Sequence, residues 1–253
     1  MSLKQCLLGR KLTIGSWLTI GSPIVAEIMV RSGFDWLVVD MEHSAITISE
    51  AQDLIRVIDL SNVPPLVRVS HNHPNIIKRV MDTGAHGIIV PMVNSKAEAE
   101  QAVGSVKYPP RGFRGVGLAR AQKYGDDFEG YRQWNEDESI VIIQVEHIKA
   151  VENLEEILTV PGVDGFIIGP YDLSGSLGVP GQFEHPEVVK ALEQVKKVAA
   201  ETGALAGFHL ISPDLVALKN KEKEGYRFIA FSLDIRCLAQ STSQLLSQYR
   251  QER

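Results

Sequence analysis

The chain has 253 residues, 44% of them hydrophobic and 23% charged, with a net charge of −5, an ordinary globular composition long enough for one αβ barrel domain over residues 1–253. No basic run exceeds a few residues and no apolar run approaches the roughly 20 residues of a bilayer span, which argues against nucleic-acid and membrane partners. The opening Met-Ser-Leu-Lys-Gln lacks a signal-peptide core, and Cys6 and Cys237 have no ligand-like spacing, so a cytoplasmic chain with reduced thiols is expected.

In chain order, strands are predicted over residues 12–17, 36–41, 65–69, 87–92, 140–145, 165–168, 204–210 and 228–233. Several are continuous apolar runs (WLVVD, GIIVP, IVIIQV), the pattern of parallel strands buried on both faces. Amphipathic helices are predicted between them over 24–32, 49–61, 74–83, 96–106, 150–158 and 186–202. Most helices end at a glycine before the next strand (Gly33, Gly84, Gly203, Gly225), as helix C-termini do. Eight strands alternating with helices at this length favour the α/β class and a single-domain (β/α)8 barrel over an open sheet. The stretch from about 108 to 138 is predicted to be irregular. A loop of that length is usually functional, and it is expected on the catalytic face.

Catalytic groups of such barrels stand at the C-terminal ends of strands. Those ends read Asp40-Met41-Glu42-His43, Arg68, Gln144-Val145-Glu146 and Gly169-Pro170-Tyr171-Asp172. Packing alone does not explain four strands delivering acids, amide, histidine and arginine to one rim. Glu146 and Asp172 leave adjacent strands, about 5 Å apart, so both carboxylates can reach one ion. Such oxygen donors suit Mg²⁺ or Mn²⁺. Otherwise Glu146 pairs with Lys149 and Asp172 caps the next turn. His43 shares the rim with these acids, and a neutral imidazole there can take a proton from a hydroxyl. His209, at the end of the seventh strand, could also line the pocket. Arg68 follows a buried run, where an unpaired guanidinium is costly. It needs Asp40, Glu42 or a substrate oxygen as partner. The glycines and serines of 169–178 offer backbone N–H groups to a carboxylate. Arg111, Arg114 and Arg120 could serve a small anion, and Arg111 and Arg114 could equally serve subunit contacts.

Six ordered segments carry a resemblance: residues 33–43 (GFDWLVVDMEH), 65–69 (PLVRV), 81–93 (MDTGAHGIIVPMV), 108–117 (YPPRGFRGVG), 143–146 (IQVE) and 169–178 (GPYDLSGSLG). Over residues 15–238 the chain resembles the class II pyruvate aldolases of the HpcH/HpaI aldolase/citrate lyase family. The resemblance implies a divalent metal (Mg²⁺, Mn²⁺ or Co²⁺) on Glu146 and Asp172, and a small 2-oxo acid seated by Gln144 and by the backbone around Tyr171 and Asp172. It also implies enolate stabilisation by Arg68, a proton taken from the 4-hydroxyl by His43, and no lysine Schiff base or organic cofactor. Asp82 matches an acid that raises the basicity of the histidine. At the end of a helix it lies at the wrong end of the barrel, so either a boundary differs or it reaches a neighbouring subunit of the implied homo-oligomer, a trimer of dimers. Asp40 is the competing partner of His43. Oxaloacetate decarboxylation, a CoA-ester lyase and a non-catalytic barrel are the alternatives. His147 stands where many relatives carry threonine, and Tyr171 where some carry a small residue, which leaves the aldehyde partner open.

Overall fold

The computed structural model describes residues 1–251; residues 252 and 253, which the single-domain reading includes, lie outside the described residues. The strands are Thr13–Leu18 (β1), Trp36–Asp40 (β2), Pro65–Arg68 (β3), Gly87–Val90 (β4), Ile140–Val145 (β5), Gly165–Ile168 (β6), Ala206–Leu210 (β7) and Phe228–Leu233 (β8). Each pairs in parallel with the next, and β8 pairs with β1, closing an eight-stranded barrel. The helices are Leu3–Leu8 (α1), Pro23–Val30 (α2), Ile48–Leu60 (α3), Pro74–Asp82 (α4), Lys96–Val106 (α5), Phe128–Glu138 (α6), Ile148–Glu152 (α7), Leu154–Leu158 (α8), Pro170–Ser176 (α9), Pro186–Thr202 (α10), Leu215–Lys223 (α11) and Asp234–Gln251 (α12). None of the described helices is long and apolar enough to cross a membrane. The four predicted glycines do end helices, with φ values of +85°, +95°, +67° and +98° at Gly33, Gly84, Gly203 and Gly225.

Successive side chains on a strand point to opposite sides. Leu37, Val39, Val67, Ile88, Ile143 and Ile168 therefore join the layer between barrel and helices. Trp36, Val38, Leu66, Ile142, Ile167 and Phe228 form a second, inner cluster. Trp36 and Phe228 stack there with centroids 4.0 Å apart. Leu3 and Leu7 of α1 belong to the same inner cluster, and Lys4 bonds to Asp164 and to the Ser139 carbonyl, so α1 plugs the N-terminal mouth. The same alternation carried one step further places polar groups at the other mouth. Asp40 follows Val38, Arg68 follows Leu66 and Gln144 follows Ile142, and all three are buried.

Three expectations change. The 108–138 stretch is not a catalytic-face loop: it follows α5 and precedes β5, and so runs on the N-terminal side. It contains a 3-10 turn and the whole of α6, started by Asp127, whose side chain accepts the N–H of Gly130. Its Trp134 ring meets His86, just ahead of β4, at 5.1 Å. The predicted helix at 150–158 is two short helices that meet at Asn153, where φ is −100° and ψ 8°. The glycine-rich 169–178 segment is mostly helical, as α9.

Candidate active site

Arg68 ends β3 beside Asp40, its register partner at the end of β2. Its Nε donates to Asp40 Oδ1 at 2.9 Å and its Nη2 to Oδ2 at 2.6 Å, a two-toothed clamp. Asp40 Oδ1 also accepts the backbone N–H groups of Glu42 and His43, at 3.0 and 3.2 Å. One carboxylate thus anchors the guanidinium and folds the turn that carries His43. Glu42 Oε2 stands 3.1 Å from Arg68 Nη1 and 3.8 Å from His43 Nε2. The carboxylate within ion-pair reach of the His43 ring is therefore Glu42, rather than Asp40 or Asp82. The His43 side chain is 62% exposed and faces solvent at the mouth.

Glu146 follows β5 and turns inward instead of pairing with Lys149. Its Oε1 accepts the N–H of Met92 at 2.7 Å, and its Oε2 accepts a close contact from Gln144 Nε2. Met92 has φ of +53°, a left-handed backbone uncommon for a non-glycine residue. Asp172 lies exposed in the first turn of α9. Burial pushes the Glu42 carboxyl up to about 7; Arg68 opposes this, and Asp40 and Asp172 add to it. Burial likewise raises Glu146 to about 7, reinforced by the charges of Glu42 and Asp172. The rim thus holds more negative charge than Arg68 neutralises.

A cavity of about 190 Å³ opens among these groups, lined by His43, Arg68, Gln144, Tyr171, Asp172 and His209 among others. The structure so brings together every predicted site residue except Asp82. That side chain ends α4, at the opposite mouth, and accepts from Arg114 Nη2 at 2.6 Å. Arg111 and Arg120 likewise hold Glu136 and Asp59, at 2.6 and 2.5 Å, so this cluster is occupied by protein carboxylates. His73, His147 and His185 sit at helix starts, each accepting a backbone N–H. The sequence offers Glu42 as a partner of Arg68, which the structure bears out, but gives no role to Glu42 beside His43, or to Trp17, which lines the cavity. Strand alternation signals Trp17, two residues past Gly15 at the inward-facing end of β1.

The barrel and its polar mouth define an enzyme, and the comparisons with known proteins make it a carbon–carbon lyase. The chain belongs to the HpcH/HpaI aldolase/citrate lyase family, whose model matches residues 13–241. It is 37% identical to the 2-keto-3-deoxy-L-rhamnonate aldolase of Klebsiella pneumoniae, over 98% of this chain and 93% of the relative. It is 35% identical to the 5-keto-4-deoxy-D-glucarate aldolase of Escherichia coli, over 98% of this chain and 96% of the relative. The crystal structure of a family member from Burkholderia cenocepacia superposes with a TM-score of 0.93 at 34% identity, covering 98% of both chains.

Proposed function

We propose that the chain is a metal-dependent class II aldolase that cleaves a 4-hydroxy-2-oxo acid to pyruvate and an aldehyde, and runs the reverse condensation. The observation that carries this reading is the clamped Arg68, which shares a single cavity with His43, Gln144 and Asp172, with Glu146 directly behind Gln144. The relatives' names denote small sugar-derived acids, which supports a small-molecule acid substrate here. The reading includes a cytoplasmic location.

Glu146 and Asp172 would hold the divalent ion, Mg²⁺, Mn²⁺ or Co²⁺. The residues fit it. Glu42 and Glu146 are raised to about 7, partly by like charges that a cation would offset. Gln144 Oε1 is buried without a hydrogen-bond partner. A Cβ built on Gly169 would lie 3.3 Å from Glu146 Oε2, so glycine keeps that oxygen uncovered. Among the described residues no three His, Cys, Asp or Glu side chains form a closed cage. Two carboxylates with substrate and water oxygens suit a hard cation in an open site. When bound, the ion supplies Lewis acidity toward the 2-oxo group.

The chain's own residues do the rest. Gln144 and Tyr171 orient the acid in the cavity. His43 takes the proton of the 4-hydroxyl, and the bond between C3 and C4 breaks as its electron pair moves toward C2. Arg68 faces the charge that gathers on the 2-oxo oxygen. A proton delivered to C3 completes pyruvate. Glu42, 3.8 Å from His43 Nε2, is the carboxylate partner for the charge that ring carries. Asp82 lies at the opposite mouth of its own chain, beside Arg114, and in this reading it serves the His43 of a neighbouring subunit in a hexamer of three dimers.

Pyruvate release can be followed by coupled oxidation of NADH. It should vanish in excess EDTA, return with Mn²⁺, and fall by about 100-fold or more in Arg68→Ala, as when a charge-stabilising donor is lost. Release that persists in EDTA overturns the metal-dependent reading.

A further inference from the structure

Asp40 and Glu42 hold Arg68 only along its edges. Asp40 takes the Nε–H and one Nη2–H, and Glu42 faces Nη1. A guanidinium has five N–H donors, and Asp40 takes two of them, so donors on both terminal nitrogens remain for substrate. Bonds in the guanidinium plane do not stop the group from rocking about the tethered edge. Something against its face must do that. The Arg68 Cζ lies 4.4 Å from the ring centroid of Trp17, a side chain only 1% exposed.

Trp17 itself has no polar anchor, because its Nε1 is buried without a hydrogen-bond partner. Its other ring contact is His209, stacked at 4.8 Å and 15° between planes. His209 is tied in turn: its Nε2 lies 3.3 Å from the Ser232 carbonyl, which also accepts from Ser16 Oγ at 3.4 Å. Ser232 has φ of +59° and donates its hydroxyl to the Ile211 carbonyl at 3.1 Å. The register between β1 and β8 shifts between Gly15 and Trp17, at this same place. The β1–β8 seam thus spends backbone regularity on holding one imidazole.

We propose that Trp17 and His209 are positioning residues for Arg68, a two-ring platform that fixes the guanidinium plane so that its free donors face the substrate oxygen. Burial pushes the His209 imidazole down to about 4, so the platform does not set a second cation against Arg68. The stated purpose rests on the aldolase reading; the platform itself does not.

Two measurements on the full chain test it. In Mg²⁺-loaded protein with ¹⁵N-labelled arginine, the Arg68 Nε–H resonance, assigned by its loss in Arg68→Lys, should be ring-current shifted and slow to exchange with water. Both properties should disappear in Trp17→Leu and His209→Leu and largely persist in Trp17→Phe. In pyruvate release, Trp17→Leu should lower kcat about 30-fold, the scale of a desolvated cation–π contact, with KM nearly unchanged. In an Arg68→Ala background the same change should cost nothing further. An Arg68 resonance unmoved by both leucine variants overturns the platform, as does an equal loss with and without Arg68. If Trp17→Leu does not fold, Trp17→Phe and His209→Leu carry the test. Wild-type protein that never releases pyruvate would defeat the aldolase reading and leave the resonance to decide this one.

Discussion

Asp40→Asn perturbs the site at its most connected atom pair. Oδ1 receives Arg68 Nε at 2.9 Å and two backbone N–H groups at 3.0 and 3.2 Å, so the retained amide oxygen must occupy that place. The new amide nitrogen then faces Arg68 Nη2 across what was a 2.6 Å bond, donor against donor. Breaking a buried ion pair from one side costs about 3–5 kcal/mol. The lower end applies here, because the backbone bonds survive and Glu42 remains 3.1 Å from the guanidinium. About 3 kcal/mol in a chain of this size lowers Tm by roughly 6–12 °C, readable by calorimetry or far-ultraviolet circular dichroism. The control is the exposed Arg31–Glu27 pair, with side chains 78% and 57% exposed. Glu27→Gln should move Tm by no more than about 2 °C. An Asp40→Asn shift no larger than the Glu27→Gln shift would refute the claim that the Asp40–Arg68 clamp organises this mouth.

Glu146 titrates near 7 in the folded chain against an ordinary 4.5, so the folded state binds the extra proton between those values and the metal-free protein loses stability as pH rises through them. Glu146→Gln removes that penalty: its Tm should exceed wild type most at pH 8, with the gap closing toward pH 5, and a gap independent of pH would count against the assignment. At Gly15 a Cβ would lie 2.1 Å from the Trp36 ring, itself stacked on Phe228, so Gly15→Ala should cost more than about 3 kcal/mol and sharply reduce folded yield. Gly203→Ala, at φ +67° with only the flexible end of Arg10 in the way, should cost about 1 kcal/mol; equal Tm losses for the two would contradict the packing argument.

The eight strands were legible because parallel strands buried on both faces leave continuous apolar runs that little else in a chain this size produces. Helix α6 was not. Its segment FEGYRQWNEDE buries only Tyr131 and Asn135, one turn apart, so the apolar period that marks a helix is represented by a single aromatic residue. Without α6, the 108–138 stretch looked like a loop and was assigned to the wrong mouth. Asp82 shows a related limit: the sequence places it at a helix end, but its partner Arg114 comes from that same misread stretch.

Within the site the boundary falls at the strand ends. Asp40, Arg68 and Gln144 lie on strands, where a period of two decides which side chains face inward, and the chain alone could place them. His43 and Asp172 lie beyond the strands, where no period operates. Their surroundings depend on the pairing of Asp40 with Arg68 and on the short helix α9. That is why, within this chain, the carboxylate in ion-pair reach of the His43 ring is Glu42 and not Asp40. The division has a chemical counterpart. Arg68, which in the proposed reaction meets developing charge without reorganising, has a side chain only 10% exposed and is clamped, whereas His43, which in that reaction takes up and returns a proton, is 62% exposed on a turn. In this barrel the clamped groups are those whose positions a strand dictates, and the group proposed to exchange protons is carried one turn past that control.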